Sequence, residues 1–391
     1  MKHTISILGS TGSVGISTLY IVDKKKKNFK IDLLSSNKNY SLICNQIKKY
    51  KPNYFVISDI NVFIKIKKKF KNKKIKIFNN FDNIKLKKKS DITISAITGI
   101  AGLKPTLIMT KRSKKILIAN KESIICGWNL IKKIALKNNT KIIPIDSEHF
   151  SIFKLLENHK QSEIKKIYIT ASGGPFLNYK TNQFSTIKPK DALKHPKWKM
   201  GKKITIDSST LMNKILELIE AQKLFNLPNK KLDILIHPNS LVHAIVQLKN
   251  GLTQFIYHET SMIIPLANAI FEKNLNIENF IKINNSKKKN VIENLTFLKV
   301  NKKTFPIFKI KDKANEYPST PIIINAANEV LIDQFLQKKI PFLSISKTIM
   351  KIMNDINYRK YAIRKPKNIK EIIIIDNWAR ESIIKKLRIN D

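Results

Sequence analysis

The chain has 391 residues, too many for one hydrophobic core, so its length predicts roughly two or three domains. A hydrophobic fraction of 42% and a charged fraction of 26% are ordinary for a folded protein and exclude a largely disordered chain. The formal net charge of +46 would attract polyanions, but the excess is lysine spread along the chain. Because no zinc-finger spacing, RNP-type motif or compact basic helix accompanies it, we expect no specific nucleic-acid partner.

The location of the protein is suggested by its cysteines and its first residues. Cys44 and Cys126 are too few for a disulfide framework and are typical of a reducing cytoplasm. The opening residues, MKHTISILGS, lead directly into a predicted strand and leave no room for an apolar signal segment. No apolar stretch approaches the length that spans a bilayer. We therefore expect a cytoplasmic protein with no membrane partner.

Short apolar runs alternate with helix-like segments in the region 1–146: TISILG, IDLLSS, YFVIS, DITISAITG, KILIAN and KIIPID. This alternation predicts an α/β domain with a Rossmann-like, mostly parallel sheet. Such sheets bind ligands beyond the carboxyl ends of their strands. Here the polar segments GSTG, AITG, ANKE and DSE follow the predicted strands, so we expect the functional residues of this domain at that edge.

The remainder of the chain predicts two further domains. The region 147–285 mixes strand patterns (IKKIYIT, LDILI and LVHAIVQL) with an amphipathic helix expected over 208–225, as in an α+β catalytic domain. A lysine- and asparagine-rich stretch follows, and we interpret 286–319 as a linker; a solvated helix end fits its composition almost as well. Helical spacing in PIIINAANEVLIDQFL and ISKTIMKIMNDI predicts a small helical C-terminal domain over 320–391.

The glycine-rich turn GSTGSVG follows the first predicted strand and opens a helix. Its spacing, G-x-x-G-x-x-G, is a variant of the dinucleotide fingerprint, in which backbone NH groups and a helix N-terminus face a pyrophosphate; a plain turn is the alternative. NAD enzymes usually place an acid at the end of the second strand, but this chain has SSNKN (35–39) there. Asp32 lies within the strand, where we expect a solvated edge. The sequence therefore predicts NADPH rather than NADH.

Three carboxylates form a candidate metal site. Asp146 and Glu148 stand two residues apart at a strand end, and in an extended backbone their side chains would emerge on the same side. Carboxylate oxygens suit a hard cation such as Mg²⁺ or Mn²⁺. Glu217, on the predicted helix, is the third candidate. Three carboxylates directed at one point would repel one another without a cation, so this interpretation requires a bound metal. A solvated strand end is the alternative for the pair alone.

Two serine-containing segments and one loop suggest a sugar-phosphate pocket with a lid. Ser172 opens the turn SGGP, and Ser208 stands where the long helix is expected to begin, shortly before Asn213 and Lys214. Serines before a helix are more often N-caps than phosphate ligands, so this prediction depends on the motifs occurring together. The segment HPKWKMG is a candidate lid that closes over substrate through its tryptophan, unless it is a surface loop with one buried ring.

In this order, the motifs resemble those of the 1-deoxy-D-xylulose 5-phosphate reductoisomerase family: GSTGSVG, AITGIAGLKPT, ANKES, IDSEH, ASGGPF, HPKWKMG, IDSSTLMNKILELIEA, IHPNSLVHAIV and INAANE. The likeness extends from about Thr4 to Phe335. It implies a homodimer that uses NADPH and a divalent metal, Mg²⁺, Mn²⁺ or Co²⁺. The implied reaction is the isomerisation and reduction of 1-deoxy-D-xylulose 5-phosphate to 2-C-methyl-D-erythritol 4-phosphate in the non-mevalonate isoprenoid pathway.

The resemblance also implies roles for individual residues. The matching metal ligands are Asp146, Glu148 and Glu217. Matches to catalytic positions are Lys121, Glu122, Asp146, Glu148, His195 and Glu217. Substrate-binding positions are matched by Lys121, Ser147, Glu148, Ser172, His195, Trp198, Ser208, Asn213, Lys214 and Glu217. Cofactor-binding positions are matched by Thr11, Gly12, Ser13, Val14, Asn37, Lys38, Asn39, Asn120, Glu122 and Gly201.

The chain departs from the family pattern at two places. Asn37 stands where the family often has glycine, which affects the expected contact with the cofactor ribose. Thr260 to Ile263 replace a Pro-Asp-Met-Arg motif, which affects local packing or a dimer contact.

Two rival functions are the alternatives. One rival is another NADP-dependent dehydrogenase of a small phosphorylated or carboxylated substrate, which leaves the carboxylates and the lid unexplained. The other is a basic nucleic-acid-binding protein with an inactive dehydrogenase fold.

Overall fold

A computed structural model describes residues 2–198, 200–273, 275–281 and 295–388. Lys199 of the candidate lid and residues 282–294, which include the first part of the predicted linker, lie outside the described residues. The described residues form two compact units. The first unit comprises those within Met1–Ser123, Asn129–Phe150 and Ser261–Lys289, and the second those within Ile124–Trp128, Ser151–Thr260 and Asn290–Asp391. The domain boundaries drawn from the sequence remain predictions.

The strands build two sheets. Those of the first unit are β1 (His3–Leu8), β2 (Phe29–Ser36), β3 (Tyr54–Ile57), β4 (Lys76–Phe78), β5 (Ser90–Ser95), β6 (Ser113–Ile118) and β7 (Lys141–Pro144). Those of the second unit are β8 (Ile164–Ala171), β9 (Leu232–Ile236), β10 (Val242–Leu248), β11 (Thr253–Tyr257) and β12 (Leu298–Lys299).

The helices follow in chain order. They are α1 (Ser13–Lys24), α2 (Tyr40–Tyr50), α3 (Ile60–Lys69), α4 (Leu103–Thr110), α5 (Lys121–Asn138), α6 (Ser147–Leu156), α7 (Pro189–Ala192), α8 (Lys202–Thr210), α9 (Met212–Phe225), α10 (Ile263–Phe271), α11 (Thr320–Leu336), α12 (Phe342–Ile352), α13 (Tyr358–Ala362) and α14 (Ile369–Arg388). Within the part of the chain that the structure describes, none of these helices is long and apolar enough to cross a membrane.

The first unit contains a seven-stranded parallel sheet with the order β4-β3-β2-β1-β5-β6-β7. Its central strands are buried on both faces: Ile7 and Leu8 of β1 are fully buried, as are Leu33 and Leu34 of β2, and the side chains of adjacent strand residues point to opposite faces. Such continuous apolar runs are characteristic of parallel strands that are covered on both sides. The Rossmann-like parallel sheet predicted from the sequence is therefore confirmed. The short edge strand β4 was not predicted, because three residues give too little periodicity to read.

The second unit contains a mixed five-stranded sheet with the order β11-β10-β8-β9-β12, in which only the β8–β9 pair is parallel. Aromatic rings link the C-terminal helices to the rest of this unit. Phe342 of α12 lies 5.2 Å from Phe176 and 5.6 Å from Phe335 of α11, measured between ring centroids. Rings at these distances bury large apolar areas. The predicted α+β and helical parts are both confirmed, and they share this aromatic core.

Candidate active site

The turn after β1 requires glycine at two positions. Gly9 has a φ of +84°, and a Cβ on it would lie 2.7 Å from the carbonyl oxygen of Ala96, which follows β5. A Cβ on Gly15 would overlap the carbonyl oxygen of Gly9. The backbones thus approach closely beside β1 and β5, where the strand order reverses. Open α/β sheets bind their ligands at such a switch point.

The same turn leads into the N-terminus of α1. Gly12 is the N-cap, and no side chain caps the first turn of the helix. Thr11, Gly12, Ser13 and Val14, the predicted dinucleotide contacts, are all exposed or partly exposed. A helix start without a side-chain cap leaves backbone NH groups for an anion. Because Gly9 and Gly15 remove side chains from the turn, the backbone there can be approached closely.

An exposed polar segment follows β2. Asn37, Lys38 and Asn39 are all exposed. The side chain of Asn39 also caps α2, since its Oδ1 accepts a hydrogen bond from the backbone NH of Leu42 at 3.1 Å. Lys38 forms no ion pair within the described residues. The segment therefore presents a cation and two amides where an NAD enzyme would have an acid.

Asp32, which we expected at a solvated strand edge, is instead buried with 9% of its surface exposed. Its Oδ1 accepts a hydrogen bond from Nδ2 of Asn53 at 2.7 Å. The expectation was wrong because β2 is an interior strand, with β1 and β3 on either side. A buried carboxylate needs a hydrogen-bond donor, which Asn53 provides.

Asn120 caps α5 and holds the turn that follows β5. Its Oδ1 accepts a hydrogen bond from the backbone NH of Ser123 at 2.7 Å. Its Nδ2 donates to the carbonyl oxygen of Ile97 at 2.5 Å and to Oε2 of Glu122 at 3.1 Å. The side chains of Asn120 and Glu122 are both buried. The structure therefore gives Asn120 a part in shaping this turn, and its contact with NADPH remains a prediction.

Asp146 and Glu148 are brought together by a different backbone from the one we expected. β7 ends at Pro144 and α6 begins at Ser147, so the two carboxylates do not share an extended segment. The carbonyl oxygen of Asp146 already accepts the first helical hydrogen bond, from Phe150 at 2.8 Å. The strand-end geometry was wrong because an acidic residue stabilises the first turn of a helix, which starts here sooner than the alternation suggested.

Lys121 provides the counter-charge of Asp146. Its Nζ lies 2.9 Å from Oδ2 of Asp146, and the two side chains are only 5% and 11% exposed. Nδ1 of His149 lies 3.4 Å from the other carboxylate oxygen of Asp146. The hydroxyl of Ser147 donates to Oε2 of Glu148 at 2.5 Å. The first unit thus gathers two carboxylates, an ammonium, a hydroxyl and an imidazole at the start of α6.

In the second unit, Glu217 is held by two residues of its own helix. Nζ of Lys214 donates to Oε2 of Glu217 at 2.7 Å, and Nδ2 of Asn213 donates to Oε1. All three side chains are buried, as the spacing of three and four residues on α9 allows. The sequence suggested that repulsion among the three candidate carboxylates requires a bound metal. The structure does not support that argument, because Lys121 and Lys214 neutralise Asp146 and Glu217.

The predicted helix over 208–225 starts earlier and is interrupted. α8 covers Lys202–Thr210, Leu211 adopts the left-handed conformation with a φ of +68°, and α9 begins at Met212. Ser208 therefore lies at the end of one helix rather than at the beginning of the long one. The sequence did not predict the break, because a leucine with positive φ is rare and gives no local signal. Asn213 and Lys214 do lie in the first turn of α9, as predicted.

The turn after β8 brings Ser172 toward Ser208. Gly173 and Gly174 have φ values of +82° and +62°. A Cβ on Gly174 would lie 2.9 Å from the carbonyl oxygen of Ser208, so only glycine lets the two segments approach this closely. Two of the hydroxyls predicted to bind phosphate therefore lie on neighbouring segments.

His195 is fixed as a neutral imidazole beside Ser172. Its Nδ1 accepts hydrogen bonds from the backbone NH groups of Lys197 at 3.1 Å and Trp198 at 2.9 Å, so the proton is on Nε2. Burial and, to a smaller extent, the positive charge of Lys214 lower the pKa of His195 to about 4. Nε2 lies 3.0 Å from the hydroxyl oxygen of Ser172 and can donate only.

The hydroxyl of Ser172 is consequently oriented as a donor. Its oxygen accepts from Nε2 of His195 and also from the backbone NH of Gly174 at 3.1 Å. With both acceptor positions used, the hydroxyl proton points away from these partners. Ser172 is thus arranged to donate a hydrogen bond to an anion.

The candidate lid is held at Trp198 and ends at Gly201. Trp198 is partly buried, and its ring meets that of His243 edge-on, with 6.0 Å between centroids and 72° between planes. Gly201 is exposed and is the N-cap of α8, whose first turn has no side-chain cap. Gly201 therefore offers a helix start for its predicted contact with the cofactor.

Three domain profiles match the chain. The profile of 1-deoxy-D-xylulose 5-phosphate reductoisomerase matches residues 5–127, and two C-terminal domain profiles of the same enzyme match 142–225 and 259–382. The 1-deoxy-D-xylulose 5-phosphate reductoisomerase of Pelagibacter ubique is 49% identical over 380 residues, which cover 96% of this chain and 97% of the relative. The chain belongs to the 1-deoxy-D-xylulose 5-phosphate reductoisomerase family. The resemblance seen in the sequence motifs is therefore confirmed.

Solved reductoisomerase structures have the same fold. A crystal structure of the enzyme in complex with NADPH, fosmidomycin and magnesium has a TM-score of 0.90 and 28% identity, over 99% of this chain and 98% of that one. The enzyme from Zymomonas mobilis in complex with NADPH has a TM-score of 0.84 and 28% identity, over 99% of both chains. The α/β fold class predicted from the sequence is confirmed.

Several buried polar residues of this chain were not predicted from the sequence. Nδ2 of Asn328 in α11 donates to Oδ1 of Asp207 at 2.6 Å, and Nζ of Lys203 lies 3.1 Å from Oδ2 of Asp207. Asp207 directly precedes Ser208, so α11 anchors the segment that carries a predicted phosphate ligand. The sequence signal that could have identified Asn328 was its position, as an asparagine, within an otherwise apolar helical pattern. His243, which contacts Trp198, was missed because it is embedded in an apolar strand.

Proposed function

We propose that this chain catalyses the NADPH-dependent isomerisation and reduction of 1-deoxy-D-xylulose 5-phosphate to 2-C-methyl-D-erythritol 4-phosphate, a step of the non-mevalonate isoprenoid pathway. The observation that carries the proposal is family membership along nearly the whole chain. The chain has the groups that this reaction requires: a dinucleotide turn, carboxylates for a cation and donors for a phosphate. The rival dehydrogenase explains only the first of these.

The turn after β1 fits NADPH. Gly9 and Gly15 leave the backbone open where side chains would otherwise fill it. The uncapped start of α1 suits the pyrophosphate, and the exposed ammonium of Lys38 suits a phosphate on the ribose. We assign the contacts with NADPH to Thr11, Gly12, Ser13, Val14, Asn37, Lys38, Asn39, Asn120, Glu122 and Gly201. The cofactor supplies the hydride, and the chain positions it.

The carboxylates fit a divalent cation. We assign Asp146, Glu148 and Glu217 as its ligands, because an all-oxygen donor set suits Mg²⁺, Mn²⁺ or Co²⁺. A bound cation of this kind polarises a carbonyl and a neighbouring hydroxyl of the substrate. Lys121 and Lys214 neutralise two of these carboxylates in the described structure. A bound cation would take over this neutralisation, and the ammonium groups of Lys121 and Lys214 would then serve as donors to the substrate.

The substrate phosphate fits the donors of the second unit. We assign it to Ser172, Ser208, Asn213 and Lys214, and the carbon chain to His195 and Trp198 with Lys121 and Ser147. His195 stays neutral, so it donates from Nε2 and adds no charge beside the phosphate. Trp198, on the candidate lid, would then cover the substrate and exclude water.

We also propose a cytoplasmic homodimer. The thiols of Cys44 and Cys126 are both buried and not joined by a disulfide, which is compatible with a reducing compartment. β11 is an edge strand of its sheet, and Phe255 on it is 44% exposed, which suits a partner surface. Sedimentation velocity on the purified protein would test the dimer; a monomer at micromolar concentration would contradict it.

The decisive experiment follows NADPH absorbance with 1-deoxy-D-xylulose 5-phosphate and Mg²⁺ or Mn²⁺, with a chelator control and identification of the product. We expect metal-dependent oxidation that yields the branched methylerythritol phosphate. Glu217→Gln should abolish turnover while the fold remains, whereas Glu278→Gln, an exposed carboxylate outside the site, should not. Well-folded protein that binds NADPH but does not oxidise it would rule out this function and favour the dehydrogenase rival.

A further inference from the structure

Two histidine rings stack within the second unit. The rings of His243 and His258 lie 3.9 Å apart between centroids, with 19° between their planes. They are 2% and 9% exposed, respectively. The pairing of β10 with β11 shifts register between Val242 and Ala244, which places His243 in a bulge. Because a bulge changes the direction of a side chain, this irregularity turns the ring of His243 toward that of His258.

Backbone carbonyl groups fix both rings. Nδ1 of His258 donates to the carbonyl oxygen of Glu259 at 2.8 Å, and Nε2 of His243 donates to that of His258 at 3.2 Å. Burial, and next the neighbouring His243, lower the pKa of His258 to about 3. His258 is therefore neutral near pH 7, and its ring can stay in contact with a second imidazole. Since the rings lie face to face, their nitrogen atoms do not converge on a common metal ion.

The stack supports the candidate lid from one side. The ring of Trp198 meets His243 edge-on, and the backbone NH of Trp198 donates to Nδ1 of His195. His195 in turn contacts Ser172. A continuous series of contacts thus leads from His258 to the proposed substrate donors, although His258 itself is not among them. His258 also lies two residues before Thr260, where this chain departs from the Pro-Asp-Met-Arg motif of the family.

We propose that His258 is a positioning residue that acts through His243 to fix the orientation of the Trp198 ring and of the lid backbone beside it. Without the face of His258, the ring of His243 loses its support and Trp198 its edge contact. The consequence for catalysis rests on the proposed function, but the consequence for Trp198 does not. Two independent measurements therefore separate the two proposals.

The first measurement uses protein whose only tryptophan is Trp198, made by Trp128→Phe and Trp378→Phe. Acrylamide quenching of its fluorescence reports how well Trp198 is covered. We expect His258→Ala to raise the quenching constant about two-fold and His258→Phe to retain the parent value, because phenylalanine preserves a stacking face. His159→Ala, a matched control outside the stack, should change nothing. Unchanged quenching in folded His258→Ala protein would overturn the proposal.

The second measurement is the KM for 1-deoxy-D-xylulose 5-phosphate. We expect His258→Ala to raise it about 3- to 10-fold, with a smaller change in kcat, and His258→Phe to restore it. Equal defects in both variants would also overturn the proposal, because they would exclude the aromatic face as the cause. If the alanine variant does not fold, His258→Leu replaces it. An enzyme without any turnover refutes only the proposed function, since the quenching result stands alone.

Discussion

Nζ of Lys214 lies 2.7 Å from Oε2 of Glu217, with 9% of one side chain and 1% of the other exposed. The carboxylate that we propose as a metal ligand is therefore already neutralised by an ammonium group. Lys121 and Asp146 repeat this arrangement at 2.9 Å. A cation and these ammonium groups compete for the same oxygens, and each lysine displaced gains freedom to bind the substrate anion. Metal binding and phosphate binding should consequently be coupled.

Lys214→Met is expected to change metal and substrate affinity in opposite directions. Without the competing ammonium, Mn²⁺ should bind more tightly to the site, whereas the KM for the sugar phosphate should rise by an order of magnitude or more. The uncompensated carboxylate should also lower the free energy of unfolding by about 3–5 kcal/mol without metal, and Mn²⁺ should recover part of that loss. Calorimetric titration with Mn²⁺ and urea denaturation measure the two effects.

A suitable control for that variant is Lys166→Met. Lys166 forms a more exposed pair with Asp233 at 3.4 Å, and surface pairs contribute about 0–1 kcal/mol. It should leave Mn²⁺ affinity and KM unchanged. Weaker Mn²⁺ binding in Lys214→Met would contradict the competition and would remove Glu217 from the proposed ligand set.

Gly15→Ala and Gly12→Ala should separate the fold of the dinucleotide turn from its binding. A Cβ on Gly15 overlaps backbone atoms, so alanine there should destabilise the protein by several kcal/mol. A Cβ on Gly12 would lie 3.4 Å from the carbonyl oxygen of Gly9, an ordinary van der Waals contact, and Gly12 has an ordinary φ of −80°. Gly12→Ala should therefore keep its stability while NADPH binds about ten-fold more weakly, because the methyl group obstructs the pyrophosphate.

Thermal unfolding and fluorescence titration with NADPH measure these two quantities. The interpretation of the turn as a nucleotide site fails if Gly12→Ala binds NADPH as tightly as the parent protein. An intact melting temperature in Gly15→Ala would instead contradict the close packing of the turn.

The pKa of His195 predicts how stability responds to acid. Its value of about 4 in the folded protein lies below the ordinary value of 6.5, so as the pH falls the unfolded chain binds the proton first. The contribution of neutral His195 to the free energy of unfolding is complete above pH 6.5 and is lost as the pH falls from there toward 4. His195→Gln removes this titration, so the difference in unfolding free energy between the two proteins should shrink over that window. Urea denaturation across the pH range tests it; a constant difference would contradict the lowered pKa.

The sequence predicted the elements with strong periodicity and failed where tertiary contacts decide. The parallel sheet and the glycine turn followed from apolar runs such as that of β1 and from glycine spacing. The break at Leu211 could not be foreseen, since the left-handed conformation of a leucine is imposed by packing rather than by local preference. The pairing of Lys121 with Asp146 could not be foreseen either, because the two residues lie 25 positions apart and no local pattern relates the ends of two strands.

Asn328 gives a final prediction, because it joins a C-terminal helix to the proposed phosphate site. Its Nδ2 donates to Asp207 at 2.6 Å, both side chains are fully buried or nearly so, and Asp207 precedes Ser208. Asn328→Ala leaves a buried carboxylate oxygen without this donor, so we expect the free energy of unfolding to fall by about 1–3 kcal/mol. If Asp207 positions Ser208, the KM for the sugar phosphate should rise while the affinity for NADPH stays unchanged.

A matched Asn315→Ala change, at an exposed hydrogen bond to Gln222, should affect neither the KM nor the affinity for NADPH. Equal losses of NADPH and substrate affinity in Asn328→Ala would show a general defect of folding and exclude a specific link between α11 and the phosphate donors.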